Sequence, residues 1–332
     1  MAMQVLIITQ KEGQTKIQAL LEGIRDAIAS GKLRPGDTLP SVNEMSRMSG
    51  FSRDTVVKAY QILKQQSVIS STPAKGFYVS GKSFRVFMLL DDFSSFKEQL
   101  YRSFRDHLPQ AYSVDLLFHH YNPLVFEQLV TSALGRYSMY VIMNISTRQM
   151  HPVLSKIDPN KLLVLDMGNA RESKYNYLLQ NFDTAVVNCL ESEMDRLSKY
   201  SQMIYIFAPD KTPHPPETTG ALRTYCRNNG MAFKVIHDLK SNKMVPGQLY
   251  FVITENDLVQ VLKGCRLNGL SLGTDIGIIA YNDTPMKEIA GNGITVISTD
   301  FAAMGRKAAL FVTGKEPVRE HLPTYMILRD SV

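Results

Sequence analysis

Two capped helices separated by a tight glycine turn, with a hairpin after them, constrain this chain more than any other feature of its sequence. Ser41 is placed to cap a helix, and Glu44 three residues on completes an S-x-x-E capping box. Met45 and Met48 give that helix an apolar face, and Gly50-Phe51 ends it. Ser52 caps the next helix, in which Val56, Ala59, Tyr60 and Leu63 recur at three- and four-residue spacing. Upstream, Ile17, Leu20, Leu21, Ile24, Ala27 and Ile28 predict an amphipathic helix over Lys16–Ala29, closed at Ser30-Gly31 and followed by a Pro-Gly turn at Leu33 to Asp37. Downstream, Val68 to Thr72 and Phe77 to Ser80 flank Pro73-Ala74-Lys75-Gly76, a hairpin with a cation at its tip.

Short helices joined in this way form a helix-turn-helix, whose second helix points its first residues at base edges in the DNA major groove. Here those residues are Ser52, Arg53, Asp54 and Thr55; a guanidinium can serve a phosphate or a guanine edge, and the hydroxyls suit phosphates. Charge agrees with that reading. The net charge is +6, and residues 1–82 carry 11 Lys and Arg against 6 Asp and Glu, which is +5 of it. A local basic excess is what a phosphate-contacting head needs.

Across this whole module the chain resembles the GntR family of winged helices. The resemblance rests on G-x-L-x-P-G-D-x-L-P-S from Gly31 to Ser41, S-R-x-T-V from Ser52, A-Y-x-x-L from Ala59, and the hairpin wing. It implies DNA contacts at Ser41, Asn43, Ser52, Arg53, Thr55, Lys58, Lys75 and Gly76. Asn43 and Val57 stand where many members carry Arg, and Ser67 where Gly is usual. These departures imply a different operator sequence.

Residues 83–332 alternate β-rich runs with helical periods, the mark of parallel sheets with right-handed crossovers and hence a doubly wound α/β fold in two lobes. Strands are expected at Arg85 to Leu90, Val114 to Phe118, Met139 to Asn144, Leu162 to Leu165, Thr184 to Val187, Met203 to Ala208, Ala232 to Ile236, Leu249 to Ile253, Ile276 to Ala280 and Thr295 to Ile297. In open parallel sheets ligands collect beyond the strand carboxyl ends. That rule selects Asp91, Asp92 and Phe93, then Asn144 and Ser146, Asp166, Glu255 and Asn256, and Asn282 and Asp283. Carboxylates and amides with an aromatic, and no arginine cluster or Gly-rich phosphate loop, suit a neutral polyhydroxyl ligand such as a sugar.

The stretch from Gly273 to Pro285, followed by Ile294 to Ile297 and Met304-Gly305-Arg306, resembles the LacI/GalR effector domain, a periplasmic-binding-protein-like fold. That resemblance implies ligand contacts at Asn282, Asp166 and the residues after Ile253-Thr254, with Glu217 standing where many relatives have an arginine. A GntR head on such a sensor is similar to the arabinose-repressor subgroup. It implies a cytoplasmic homodimer on pseudo-palindromic operator DNA, repressing sugar catabolism genes. A monosaccharide such as L-arabinose or L-fucose, bound between the lobes, would control it by an allosteric coupling of about 1 to 3 kcal/mol.

The alternative is a DNA-binding head fused to an enzyme. No G-x-S-x-G is present, the seven histidines, His119-His120 among them, fall in no catalytic pattern, and no catalytic residue, cofactor or metal is expected. A secreted solute binder is disfavoured by the head and by a start without a signal pattern. Cys189, Cys226 and Cys265 are too scattered for a zinc site or a disulfide framework, and the apolar runs, such as Val5 to Ile8, are too short to span a bilayer.

Overall fold

The computed structural model describes residues 8–10, 13–66, 68–80, 84–170, 174–209, 214–314 and 317–332; Ser67 and Val5 to Ile7 lie outside them. In chain order the head comprises α1 (Lys16–Ala29), α2 (Val42–Ser49), α3 (Arg53–Gln65), β1 (Ile69–Thr72) and β2 (Gly76–Val79). There follow β3 (Phe84–Leu90), α4 (Ser95–Asp106), β4 (Tyr112–Phe118), α5 (Pro123–Ala133), β5 (Met139–Met143), β6 (Leu162–Asp166) and β7 (Asn176–Leu179). Next are α6 (Thr184–Glu191), α7 (Met194–Leu197), β8 (Gln202–Ile206), α8 (Glu217–Asn228), β9 (Ala232–Ile236), β10 (Gln248–Val252) and α9 (Glu255–Leu267). The chain closes with β11 (Ile276–Tyr281), α10 (Pro285–Ile289), β12 (Thr295–Thr299), α11 (Phe301–Val312), β13 (Arg319–His321) and β14 (Thr324–Ile327).

The head is built as its caps dictate. Ser41 and Glu44 form the expected capping box, and Gly50 closes α2 in the left-handed region at φ 70°. Thr15 and Gln18 form a second box at the start of α1. Tyr60 then ties three pieces together: its hydroxyl donates to the Pro40 carbonyl at 2.8 Å, and its ring meets Phe77 of the wing edge-on at 4.7 Å. Residues 36–39 add a third short pairing to β2 through Leu39 N–H to Phe77 O and Val79 N–H to Asp37 O. The expected strand from Val68 begins at Ile69, and the second wing strand begins at Gly76.

The chain divides into two compact units. One is Met1–Phe93, Leu100–Leu178 and Ala302–Glu320, so the head and the first sheet belong together; the other is Ser94–Gln99, Leu179–Phe301 and His321–Val332. The first lobe carries a sheet of order β13-β7-β6-β5-β3-β4, in which β4, β3, β5 and β6 run parallel. The second has the order β14-β12-β11-β10-β8-β9, parallel except for β14 against β12. β10, β11 and β12 are buried throughout, as central parallel strands covered on both faces must be.

Two points depart from the sequence reading. Thr184 to Val187 is the first half of α6, not a strand. Val186, Cys189 and Leu190 bury one helical face, and the Asn181 side-chain oxygen accepts from the N–H groups of Asp183 and Ala185, which caps the turn. The strand in that stretch is β7, eight residues earlier, with β13 beside it at the sheet edge. All three cysteines are free and buried, and no described helix is long and apolar enough to cross a membrane.

Candidate nucleic-acid interface and ligand site

On the head, Ser41, Asn43, Ser52, Arg53, Lys58, Lys75 and Gly76 are exposed and Thr55 is half-buried. Ser52 and Thr55 share a 2.8 Å hydroxyl hydrogen bond, and Ser52 also accepts the Thr55 N–H, so both hydroxyls first serve the start of α3. Arg53 stands at the first residue of that helix. At the wing, Gly76 takes φ 68°, a left-handed turn position at which any side chain is strained. Lys75 lies 4.8 Å from the Tyr78 ring centroid, where cation–π attraction holds its ammonium beside the hairpin. Val57 is exposed and apolar.

In both lobes the strand order reverses beside the first strand, between β3 and β5 and between β8 and β10. Such a switch point opens a crevice at the carboxyl edge because the flanking crossovers leave in opposite directions. In the first lobe Asp91 follows β3 and is only 1% exposed. Its Oδ2 accepts from the Tyr121 hydroxyl at 2.7 Å and its Oδ1 from the Asp92 N–H at 2.7 Å. Asp166, 5% exposed, ends β6. Burial, with Asp91 and then Asp166 nearby, pushes the Tyr121 phenol far above its ordinary range, so it stays a proton donor. His119 is fully buried; its Nδ1 accepts from the Tyr121 N–H at 3.1 Å, which leaves Nε2–H to donate to Met143 O at 3.2 Å. The neutral Nε2–H tautomer thus ties the end of β4 to the end of β5.

Other expected residues here are placed differently. Asp92 accepts from the Phe93 N–H and pairs with His120 at 3.3 Å, and Phe93 is 66% exposed, edge-on to Phe118. The Asn144 amide is used up within its own loop: Nδ2 donates to Ser146 O and Gln149 O, and Oδ1 accepts from His151 N–H. Ser146 Oγ likewise accepts from Arg148 N–H. These two residues brace the loop after β5.

In the second lobe Asn282 follows β11 with its Oδ1 buried and without a hydrogen-bond partner among the described residues. Lys287, 3% exposed, clamps that turn by donating to the carbonyls of Tyr281 at 2.8 Å and Asn282 at 2.7 Å. Burial pushes its ammonium down to about 8, against the pull of Glu255 and Asp283. Glu255 and Asn256 are exposed in the first turn of α9, which Thr254 caps. Glu217 opens α8 half-buried, and Asp283 is taken by a bidentate pair with Arg329. Phe207, Tyr205, Phe251, Tyr281, His214 and Phe182 form a continuous aromatic chain, with His214 and Tyr281 4.6 Å apart.

Among the described residues, five non-glycine positions have positive φ, and four of them, His120, Tyr121, Asp166 and Asn282, stand just past or at strand carboxyl ends. Such conformations cost of order 1 kcal/mol and persist where the surroundings hold them. Asp166 and Asn282 were selected from the sequence by strand position; Tyr121 and His119 were not.

The fold joins a winged helix-turn-helix head to two parallel-sheet lobes. Residues 16–79 match the bacterial regulatory proteins of the gntR family, and residues 198–332 match the periplasmic binding protein-like domain. The head is therefore a GntR-family helix-turn-helix domain, and it is followed by a periplasmic-binding-protein-like domain. The regulator YdcR of Escherichia coli is 42% identical over 71 residues, which is 21% of this chain and 15% of that protein. The mannosyl-D-glycerate transport/metabolism system repressor MngR of Escherichia coli is 37% identical over 81 residues, 24% of this chain and 33% of MngR. The chain thus spans only a small part of these curated relatives. Among solved structures, the trehalose repressor from Escherichia coli superposes with a TM-score of 0.62 at 12% identity, covering 74% of this chain and 100% of that one. A dimeric Lac repressor gives 0.59 at 14% identity over 75% and 98%. Both show a shared fold.

Proposed function

We infer that this chain is an operator-binding regulator whose affinity for DNA is set by a small neutral sugar, of the L-arabinose or L-fucose type, held at the strand carboxyl ends of the carboxyl-terminal part. The observation that carries the reading is the Asp91–Tyr121–Asp166 cluster beside the first-lobe switch point, on a chain whose head exposes Arg53 and Lys75. A sugar hydroxyl can donate as well as accept; the two buried carboxylates accept, and the Tyr121 proton, already given to Asp91, fixes how that carboxylate is presented. Asp91, Tyr121 and Asp166 themselves carry no positive charge, which favours a free sugar over a phosphorylated one. Repression of sugar catabolism is supported by the repressors among its relatives and structural neighbours, and two-fold binding to a pseudo-palindromic site by the dimeric Lac repressor fold. The chain is proposed to act as a cytoplasmic homodimer without a catalytic step.

The test is a thermal-shift screen of free pentoses, deoxyhexoses and their phosphates, since a ligand at 100 times its Kd stabilises the native state by about 2.7 kcal/mol. A free sugar that raises the melting point, and loses that effect in Asp166→Asn, supports the reading. A response to phosphorylated sugars alone contradicts it.

A further inference from the structure

The head rests against the first lobe, and the contact is unusual. Arg25 of α1 is 8% exposed, and burial pushes its guanidinium below the ordinary arginine range. Its Nη2 bonds the Gln66 side-chain oxygen just past α3, while Nε and Nη1 are buried without a partner among the described residues. The guanidinium lies over Gly314 of the first lobe so closely that any Cβ there would overlap it. Two clefts border the contact. One, of about 60 Å³, is lined by Glu22 and Arg25 from the head and by His107 and Tyr112 from the lobe; the other, of about 340 Å³, by Ile62 and Gln65 from the head and Asn160 and Phe311 from the lobe.

A buried guanidinium whose Nε and Nη1 have no partner among the described residues is expensive, because its desolvation is not repaid. Such a contact contributes orientation more than stability. We propose that Arg25 is a latch: seated between Gln66 and the side-chain-free backbone of Gly314, it holds the reading head in one fixed orientation on the first lobe. On the regulatory reading above, a change in the first lobe would reach α1 and α3 through this contact, but the latch itself needs neither DNA nor sugar.

The test is backbone ¹⁵N relaxation of the deuterated full-length chain, comparing amides of residues 16–79 with those of the first lobe. In the unaltered chain both share one rotational correlation time. In Arg25→Met, which keeps the apolar stem and loses the donors, head amides fall to less than half the lobe value. Gln66→Leu, which removes the acceptor that the guanidinium uses, releases the head in the same way and serves if Arg25→Met does not fold. A head that already tumbles independently in the unaltered chain overturns the proposal, and so does a head that stays fixed in a folded variant. Either result leaves the sugar screen above untouched, and a failed screen leaves the latch untouched.

Discussion

The hydroxyl of Tyr121 donates a 2.7 Å hydrogen bond to Oδ2 of Asp91 across the ends of the adjacent parallel strands β4 and β3. Both groups are largely or wholly removed from water, and Tyr121 takes φ 55° where it reaches the carboxylate. Hydrogen bonds to a charged group contribute about 1.5 to 3 kcal/mol. Tyr121→Phe should therefore lower the unfolding free energy by about 2 kcal/mol. It should also weaken sugar binding tenfold or more. Denaturant melts and calorimetric titration check the two effects separately, and unchanged values in both would place Tyr121 outside the site.

Arg53→Ala removes an exposed guanidinium from the first residue of α3 without touching the core. Operator binding should weaken by about 1 to 3 kcal/mol, the range of a good bidentate base contact. The melting temperature should stay within a degree of the parent. Filter binding at several salt concentrations distinguishes base from phosphate contact, since a lost phosphate contact shallows the salt dependence by about one unit.

Gly305 is a packing requirement in α11. A Cβ at this position would run into the Leu100 carbonyl and the Phe104 N–H of α4, and the same crossing is fastened by Ser103 Oγ donating to Ala302 O at 2.7 Å. Because backbone cannot yield as a side-chain tip can, Gly305→Ala should destabilise the chain by about 1 to 3 kcal/mol. Urea unfolding of the variant measures it.

A half-buried histidine and a buried lysine set a pH dependence. His214 donates to or accepts from Thr218 Oγ1 at 2.8 Å, is walled by Phe182 and Tyr281, and desolvation pushes its imidazole from 6.5 down to about 3. The unfolded chain then binds the extra proton, so this contribution is complete above about pH 6.5 and is lost as pH falls toward 3. Lys287 is depressed in the same sense, from 10.5 to about 8, so stability rises with pH across that window. Unfolding midpoints measured from pH 4 to 10 should show a shallower acid slope for His214→Gln than for the parent, and no rise above about pH 8 for Lys287→Met.

The head was legible because its boundaries are written in caps: Ser41 with Glu44, Gly50 and Ser52 are local signals with local causes. The strand starts of the lobes were legible as apolar runs, since parallel strands buried on both faces have no polar alternation. Thr184 to Val187 misled because β-branched residues suit strands, and only the burial of Val186, Cys189 and Leu190 on one face reveals the helix. β13 and β14 are edge strands and β7 lies one in from its edge, and at three or four residues each they are too short for any period to register. Asp166 and Asn282 could be picked by their place after a strand, whereas Tyr121 and His119 depend on a left-handed turn that a Pro-less, Gly-less His-His-Tyr does not announce. Nothing along the chain links Arg25 to Gly314, which are 289 positions apart and meet only in the folded unit.

The central claim is that a sugar held at the first-lobe cluster governs DNA binding by the head. It is tested most directly by fluorescence anisotropy of the full chain on a duplex selected by the protein itself, titrated with free pentoses and deoxyhexoses. One sugar should shift the apparent Kd by at least about fivefold in the parent. That shift should vanish in Asp166→Asn, whose DNA affinity without sugar stays at the parent value. A Kd that no sugar in the panel moves, or a shift that survives in Asp166→Asn, would contradict the account.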